Sequence, residues 1–178
     1  MKTTDQTKQS KIHPFLTLDY MIREPENKLF DRKSAQIKPS DLAPLISAFA
    51  NAEGGSIVIG INDKTRAIEG INEFGEDKVF QFINAAKDYC KPMPRCIEEY
   101  LDVKNLKGND DRLLLLHIDT FPDQVVRTNN DSTYLRIGDK TREIRGDVLR
   151  NLEYTKGLRN YEDECNFDAT IEDLDQEL

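Results

Sequence analysis

The chain is poor in the residues that build covalently linked or metal-held folds. Only three of its 178 residues are cysteines, and they are Cys90, Cys96 and Cys165. They form no Cys-x-x-Cys pair and have no matching His-x-x-x-His, which excludes a disulfide framework and a zinc finger. We therefore expect reduced thiols with a structural role.

Histidine is scarcer still, with only His13 and His117 in the chain. His117 lies in an apolar run and is expected to be a structural residue of a strand. No Ser-His-Asp or Cys-His set can be assembled from the spacing of these residues.

Long apolar runs and nucleotide-binding motifs are also missing. No segment approaches the roughly 20 apolar residues needed to cross a bilayer. The polar start MKTTDQTKQSKIH lacks the apolar stretch of a signal peptide. We accordingly expect a cytoplasmic protein. The chain has no Gly-x-x-x-x-Gly-Lys-[Ser/Thr] motif, so ATPase or helicase activity is not expected of it.

The formal net charge of −8 is concentrated at one end of the chain. Residues 161–178 hold eight acidic residues and no Lys or Arg, which leaves 25 basic and 25 acidic residues in positions 1–160. Residues 1–40 and 126–160 each carry eight basic and five acidic side chains. Local positive segments, rather than the overall charge, are what phosphate contacts require.

The apolar pattern predicts one α+β (mixed α/β) domain with a single central mixed sheet flanked by helices. The content of 38% hydrophobic residues suits one core. Helices are predicted around 15–21, from Ser40 as N-cap to 50, over 79–90 and around 148–152. Strands are predicted at 28–37, 56–61, 96–103, 112–118 and 133–137, with a hairpin turn at 108–110. The run Leu113 to Leu116 suits a central strand covered on both faces.

Three segments resemble the Schlafen-type AlbA domain. They are FDRKSAQI at 30–37, AFANAEGGSIVIGIND at 48–63 and YLRIGDKTREI at 134–144. The similarity covers roughly residues 22–155. In the second segment we expect Phe49 to anchor a helix in the core, Asn51 to bond the turning backbone, and Gly54 and Gly55 to permit positive φ at the helix exit.

The resemblance implies a nucleic-acid-binding fold. Related domains form the N-terminal part of bacterial transcriptional regulators and of RecG-related proteins described as helicases, and the core of animal Schlafens. The polar composition of residues 1–12 predicts a disordered N-terminus. The resemblance implies an AlbA domain over 13–158 and an acidic linker over 159–178 to a C-terminal region beyond this chain. A homo-oligomer formed through regions outside this chain would fit the same organisation.

Two basic segments are the candidate nucleic-acid contacts. Lys and Arg residues flank the first strand and bracket the turn Gly138-Asp139, and Thr141 adds a hydroxyl donor for phosphate oxygens. No recognition-helix pattern is present. The candidate contacts are Arg32, Lys33, Lys38, Arg136, Lys140, Thr141, Arg142 and Arg145.

A set of acidic residues raises an alternative. Animal Schlafens of this type can be ribonucleases with two glutamates around the first strand and an aspartate after the Gly-Gly strand, which could hold a divalent metal. The matching candidates here are Glu24, Glu26, Asp31 and Asp63, and one family glutamate position is occupied by Leu29 or Asp31.

The leading hypothesis is that the chain is a nucleic-acid-binding domain of a bacterial transcriptional regulator. Its expected partner is DNA, and neither membrane contact nor a cofactor is expected. The alternatives are a metal-dependent ribonuclease, the only case that needs a cofactor, and a protein-interaction module with no nucleic-acid role. Because the carboxylate set is incomplete, we lean against an enzyme.

Overall fold

A computed structural model describes residues 8–159 and gives the α+β class that the sequence predicts. The helices are α1 (Leu18–Arg23), α2 (Ala43–Asn51), α3 (Glu76–Ile83), α4 (Ala85–Tyr89) and α5 (Gly146–Thr155). The strands are β1 (Phe30–Lys33), β2 (Gly55–Ile59), β3 (Cys90–Lys91), β4 (Cys96–Lys104), β5 (Asp110–Ile118), β6 (Arg127–Thr128), β7 (Thr133–Ile137) and β8 (Lys140–Ile144). Short 3₁₀ turns occupy Pro39–Leu42 and Asn72–Phe74.

The strands of the described residues form two sheets, so the prediction of one central sheet was wrong. The first sheet has the order β1-β2-β5-β4, with β1 parallel to β2 and the other pairs antiparallel. The second sheet has the order β3-β6-β7-β8 and is antiparallel throughout. Helix α2 contacts strands of both sheets. The second sheet was missed because β3 and β6 have two residues each, too few for any alternating pattern.

Strand β5 is one of the two inner strands of the first sheet, as the leucine run predicts. Leu114 and Leu116 belong to a core that includes residues of α2, α3 and α4. Leu113 and Leu115 belong to a second core with Leu16, Met21 and other residues on the opposite face. Successive side chains of a strand point to opposite faces, so an unbroken apolar run requires cover on both.

Two predicted helices have different limits in the structure. Ser40 lies in the 3₁₀ turn and does not cap α2, whose N-cap is Leu42. Pro44 occupies the first turn of α2, where its missing N–H removes no hydrogen bond within the helix. The helix predicted over 79–90 is two helices that meet at Asn84. Its last predicted residue, Cys90, belongs to β3.

Residues 8–12, for which disorder was expected, pack on the domain. Gln9 forms an isolated antiparallel β-bridge with Thr17. Ser10 is fully buried, and its hydroxyl donates to the Glu99 carboxylate on β4. Residues 1–7, and the acidic stretch predicted as a linker from residue 160 onward, lie outside the described residues. Between residues 8 and 159, no helix has the length and apolar character that crossing a bilayer would demand.

Candidate nucleic-acid interface

The hairpin of β7 and β8 carries most of the second basic segment. Its two-residue turn places Gly138 at φ 61°, and the register pairs Ile137 with Lys140 and Leu135 with Arg142. Directly opposed residues share a face, so Lys140 and Arg142 lie on the same face as Ile137. All three side chains are exposed. We call Ile137, Lys140 and Arg142 the hairpin surface; it lies at the β8 edge of the second sheet.

Arg136 points to the other face of the hairpin and is buried. Its guanidinium contacts Asp31 of β1 at 2.8 Å with side-chain exposures of 1% and 4%. It also donates to the carbonyl oxygens of Asn27 and Phe30 and to the Thr141 hydroxyl. The Cζ atom lies 5.0 Å from the centre of the Phe49 ring. Arg136 therefore joins the two sheets, and its donors are engaged within the protein.

Arg32 and Lys33 point in opposite directions because they are neighbours on a strand. Arg32 is 2% exposed, donates to the carbonyl oxygens of Ile22 and Glu24, and stacks near the Phe30 ring. Burial lowers the pKa of Arg32, and the charge of Glu26 opposes that shift. Lys33 pairs with Asp31 at 2.5 Å. Neither side chain extends freely from the surface as the sequence analysis expected.

The remaining candidate cations are exposed. Lys140 pairs with Asp139 at 3.0 Å and Arg145 with Glu143 at 2.7 Å, both on the surface. Exposed ion pairs of this kind contribute little to stability, so they hold these cations only weakly. Within residues 8–159, Lys38 and Arg142 have no ion pair. A cleft of about 330 Å³ next to the hairpin is lined by Lys33, Lys140 and Thr141 but also by Glu26 and Asp31.

The four candidate nuclease carboxylates do not converge. Asp31 is buried against Arg136 and Lys33. Glu26 is half-buried, and burial and the nearby Asp31 raise its pKa. Glu24 and Asp63 are exposed. Across residues 8–159 no three His, Cys, Asp or Glu side chains are grouped closely enough to hold a metal ion, so these residues do not fit a metal-dependent nuclease site.

A different acid occupies the point where β1 and β2 end. The carboxylate of Glu69 accepts from the Ser34 hydroxyl at 2.5 Å and from the Asn62 amide at 2.8 Å. Ser34 follows β1, and Asn62 follows β2 by three residues. Sequence reasoning missed Glu69 because a loop of unknown path separates it from β2.

The AFANAEGG segment has the structural role predicted for it, with one correction. Phe49 is fully buried in the core. Gly54 has φ +79°, and a Cβ on Gly55 would lie 2.4 Å from the Phe49 ring. Asn51 does not bond the helix exit. Instead its amide donates to the carbonyl oxygens of Val126 and Tyr134 and accepts from the Val126 N–H, because the second sheet packs directly on α2.

The structure also assembles a Ser-His-Glu network that the sequence spacing did not indicate. Ser56 lies directly across from His117 in the β2–β5 register, with Oγ 2.8 Å from Nδ1. The other ring nitrogen, Nε2, is 3.0 Å from Glu99 of β4. His13 packs edge-on against His117 with 4.9 Å between ring centres. Only strand pairing brings these residues together, so no local motif could have identified them.

Comparison with solved structures finds distant likenesses. The crystal structure of the DIP2311 protein from Corynebacterium diphtheriae aligns with 72% of this chain at 17% identity and a TM-score of 0.48. The present chain covers 24% of that protein. A search of curated protein sequences gives no significant match.

The family comparison agrees with the three sequence segments. The model described as "Schlafen, AlbA_2" matches residues 26–145, which span β1 through the end of β8. The match contains the Gly-Gly segment, the Arg136–Asp31 contact between the sheets, and the hairpin surface. The chain belongs to the Schlafen AlbA_2 family.

Proposed function

We propose that this chain is a nucleic-acid-binding domain, with DNA as its partner, of a bacterial transcriptional regulator. The observation that carries the proposal is the hairpin surface, on which Arg142 has no ion pair within residues 8–159 and Lys140 has only an exposed one. Membership of the Schlafen AlbA_2 family supports it.

The charges available for binding differ from those first expected. Arg32 and Arg136 are buried and engaged, so the phosphate contacts are assigned to Lys38, Lys140, Arg142 and Arg145. About four contacts correspond to a slope of log affinity against log salt of about −3 to −4. Binding through lysine and arginine to phosphates positions a duplex without reading its bases, so we expect weak sequence preference.

The test is a salt series of gel shifts with matched DNA and RNA duplexes. Replacing both Lys140 and Arg142 with Ala should weaken binding at low salt and reduce the slope by about 2. The matched control is Lys87→Ala, an exposed cation on α4, which contacts β3 at the opposite edge of the second sheet. Equal slopes and affinities for the double variant and the wild type would reject the hairpin surface.

The same assay separates the alternatives. If the domain were a metal-dependent ribonuclease, manganese would cause cleavage of the RNA and Asp63→Ala would abolish it. We expect no cleavage, because Asp31 is engaged with two cations and Asp63 stands apart on the surface. Absence of binding to both DNA and RNA at low salt would favour the protein-interaction module.

A further inference from the structure

The Ser56, His117 and Glu99 side chains form a buried chain of hydrogen bonds at one end of the first sheet. Ser56 is 1% exposed and His117 2% exposed. All three project from the face that residues 8–23 cover, where Ser10 and the Lys11 N–H bond the Glu99 carboxylate at 2.6 Å each. This network lies on the opposite face of the sheet from Asp31 and Arg136.

The hydrogen-bond partners determine where the protons lie. Burial alone would raise the pKa of Glu99, but the bonds from Ser10, Lys11 and His117 lower it, so the carboxylate is ionised and can only accept. The His117 ring must therefore carry its proton on Nε2, which leaves a lone pair on Nδ1. Ser56 must then donate its hydroxyl hydrogen to Nδ1. Burial lowers the pKa of His117 from its ordinary 6.5, so the ring is a neutral base at pH 7.

A pocket of about 560 Å³ reaches the serine end of this network. Ser56 lines it together with His13, and its apolar wall includes Phe15, Leu29, Ile118 and Pro122. A pocket of this volume suits a small ligand. A hydroxyl bonded to a neutral imidazole, which is itself oriented by a carboxylate, has the roles that activate a serine nucleophile, here with the two ring nitrogens exchanged relative to the Ser-His-Asp triad.

We propose that Ser56 is a nucleophile toward small carboxylic esters with apolar acyl groups. Its Oγ forms a bond to the carbonyl carbon while its proton passes to Nδ1 of His117. The ester C–O bond then breaks, and the departing alkoxide takes that proton to leave as an alcohol. Water hydrolyses the acyl-serine by the same proton route and releases the carboxylic acid. Glu99 is a positioning residue that fixes the imidazole tautomer.

The direct test treats the full chain with an alkyl fluorophosphonate and locates the adduct by mass spectrometry. The serine oxygen displaces fluoride from phosphorus, so an activated Ser56 should carry the label in the folded protein, whereas protein denatured by heat before the reaction should not be labelled. A p-nitrophenyl ester should release a burst of one nitrophenolate per chain. Folded wild-type protein without an adduct at Ser56 overturns the proposal, and this result needs no variant to fold.

Variants provide the matched controls. Ser56→Ala should abolish labelling, whereas Ser34→Ala should leave it unchanged, because Ser34 bonds a carboxylate but no histidine. Equal labelling of Ser34 and Ser56 in the wild type would overturn the proposal. The ring ¹⁵N signals of His117 should report protonated Nε2 and bare Nδ1, and Glu99→Gln should disturb that preference. Wild-type signals in Glu99→Gln would refute the positioning role.

Discussion

At the residue scale, Phe49 and Gly55 form one packing unit. The Phe49 ring occupies the space in which any Cβ on residue 55 would lie, since that Cβ would come within 2.4 Å of it and 3.0 Å of the Leu29 carbonyl oxygen. The same ring lies beneath the guanidinium of Arg136. The close approach, more than backbone conformation alone, explains why glycine stands at the start of β2.

Phe49→Ala should lower the free energy of unfolding by about 3 to 5 kcal/mol, because it removes a fully buried ring from the core. Gly55→Val should also be severe in the wild-type background but should cost less when Phe49 is already Ala, since the nearer clash partner is then gone and only the Leu29 carbonyl oxygen remains. Urea unfolding of the two single variants and the double variant measures this coupling. Strict additivity would mean that the two residues do not interact.

Arg136 and Asp31 give a second prediction. Arg136→Met should cost about 3 to 5 kcal/mol, because it removes the main partner of a buried carboxylate. Asp31→Leu combined with Arg136→Met should recover part of that loss. Arg142→Met is the matched control on the paired strand and should change stability by less than about 0.5 kcal/mol, because the side chain is exposed. Thermal unfolding of the wild type, Arg136→Met, the double variant and Arg142→Met tests this prediction. A wild-type melting temperature for Arg136→Met would contradict it.

The burial of Arg136 and the exposure of Arg142 could not be predicted from sequence. The alternation of side chains across a hairpin closed at Gly138-Asp139 places Arg136 and Arg142 on opposite faces, although the sequence alone did not predict β8. It cannot indicate which face meets the rest of the protein, because that depends on β1 approaching from a different sheet. The same uncertainty applies to Arg32 and Lys33, whose strand is buried on both faces.

At the element scale, Asp111 ties the segment between β2 and α3 to β5. Its carboxylate accepts from the N–H groups of Ile71, Asn72 and Arg112 and from the Asn105 amide, at 2.8 to 3.0 Å. Burial alone would raise the pKa of Asp111, but these four donors outweigh it and lower the pKa below 3.8. A carboxyl group with a lowered folded pKa stabilises the fold above its unfolded pKa and loses that contribution as the pH falls through the folded value.

Asp111→Asn should therefore lower the free energy of unfolding at neutral pH by about 1.5 to 3 kcal/mol, which is the usual contribution of a hydrogen bond to a charged group. The difference from wild type should begin to shrink as the pH falls below about 4, where the unfolded chain is protonated at residue 111, and should continue to shrink until the pH passes the lowered pKa of the folded carboxyl group. Urea midpoints measured between pH 3 and 7 test this. Asp102→Asn, an exposed aspartate on β4, is the control. A difference independent of pH would show that charge is not the cause.

Most of the longer elements could be predicted because their apolar periodicity is local. Helix α2, the strands β2, β4, β5 and β7, and the turn at Gly108 follow directly from spacing and turn residues. Strand β8 was not predicted, since in KTREI only the last residue is apolar and its partner strand is what holds it. Asn84 interrupts a helix whose apolar face continues past it, which periodicity cannot reveal.

At the scale of the whole molecule, two polar networks lie on opposite faces of the first sheet. One faces the second sheet and joins it through Arg136 and Asp31. The other faces residues 8–23 and contains Ser56, His117 and Glu99. Each depends on residues more than 60 positions apart or on pairing between strands, so composition and motifs could identify the family but not either network.

The distribution of charge along the whole chain gives the last prediction. The domain up to residue 160 has balanced charge, while residues 161–178 add eight negative charges. Negative charges on the same chain repel a bound polyanion, and salt screens that repulsion over about 10 Å at 0.1 M. Removing residues 161–178 should therefore strengthen DNA binding at low salt, with the gain fading as salt rises. Replacing the eight acids by their amides at constant length should have the same effect, which separates charge from chain length. If neither variant differs from wild type in a gel shift at low salt, long-range repulsion by residues 161–178 plays no part in binding.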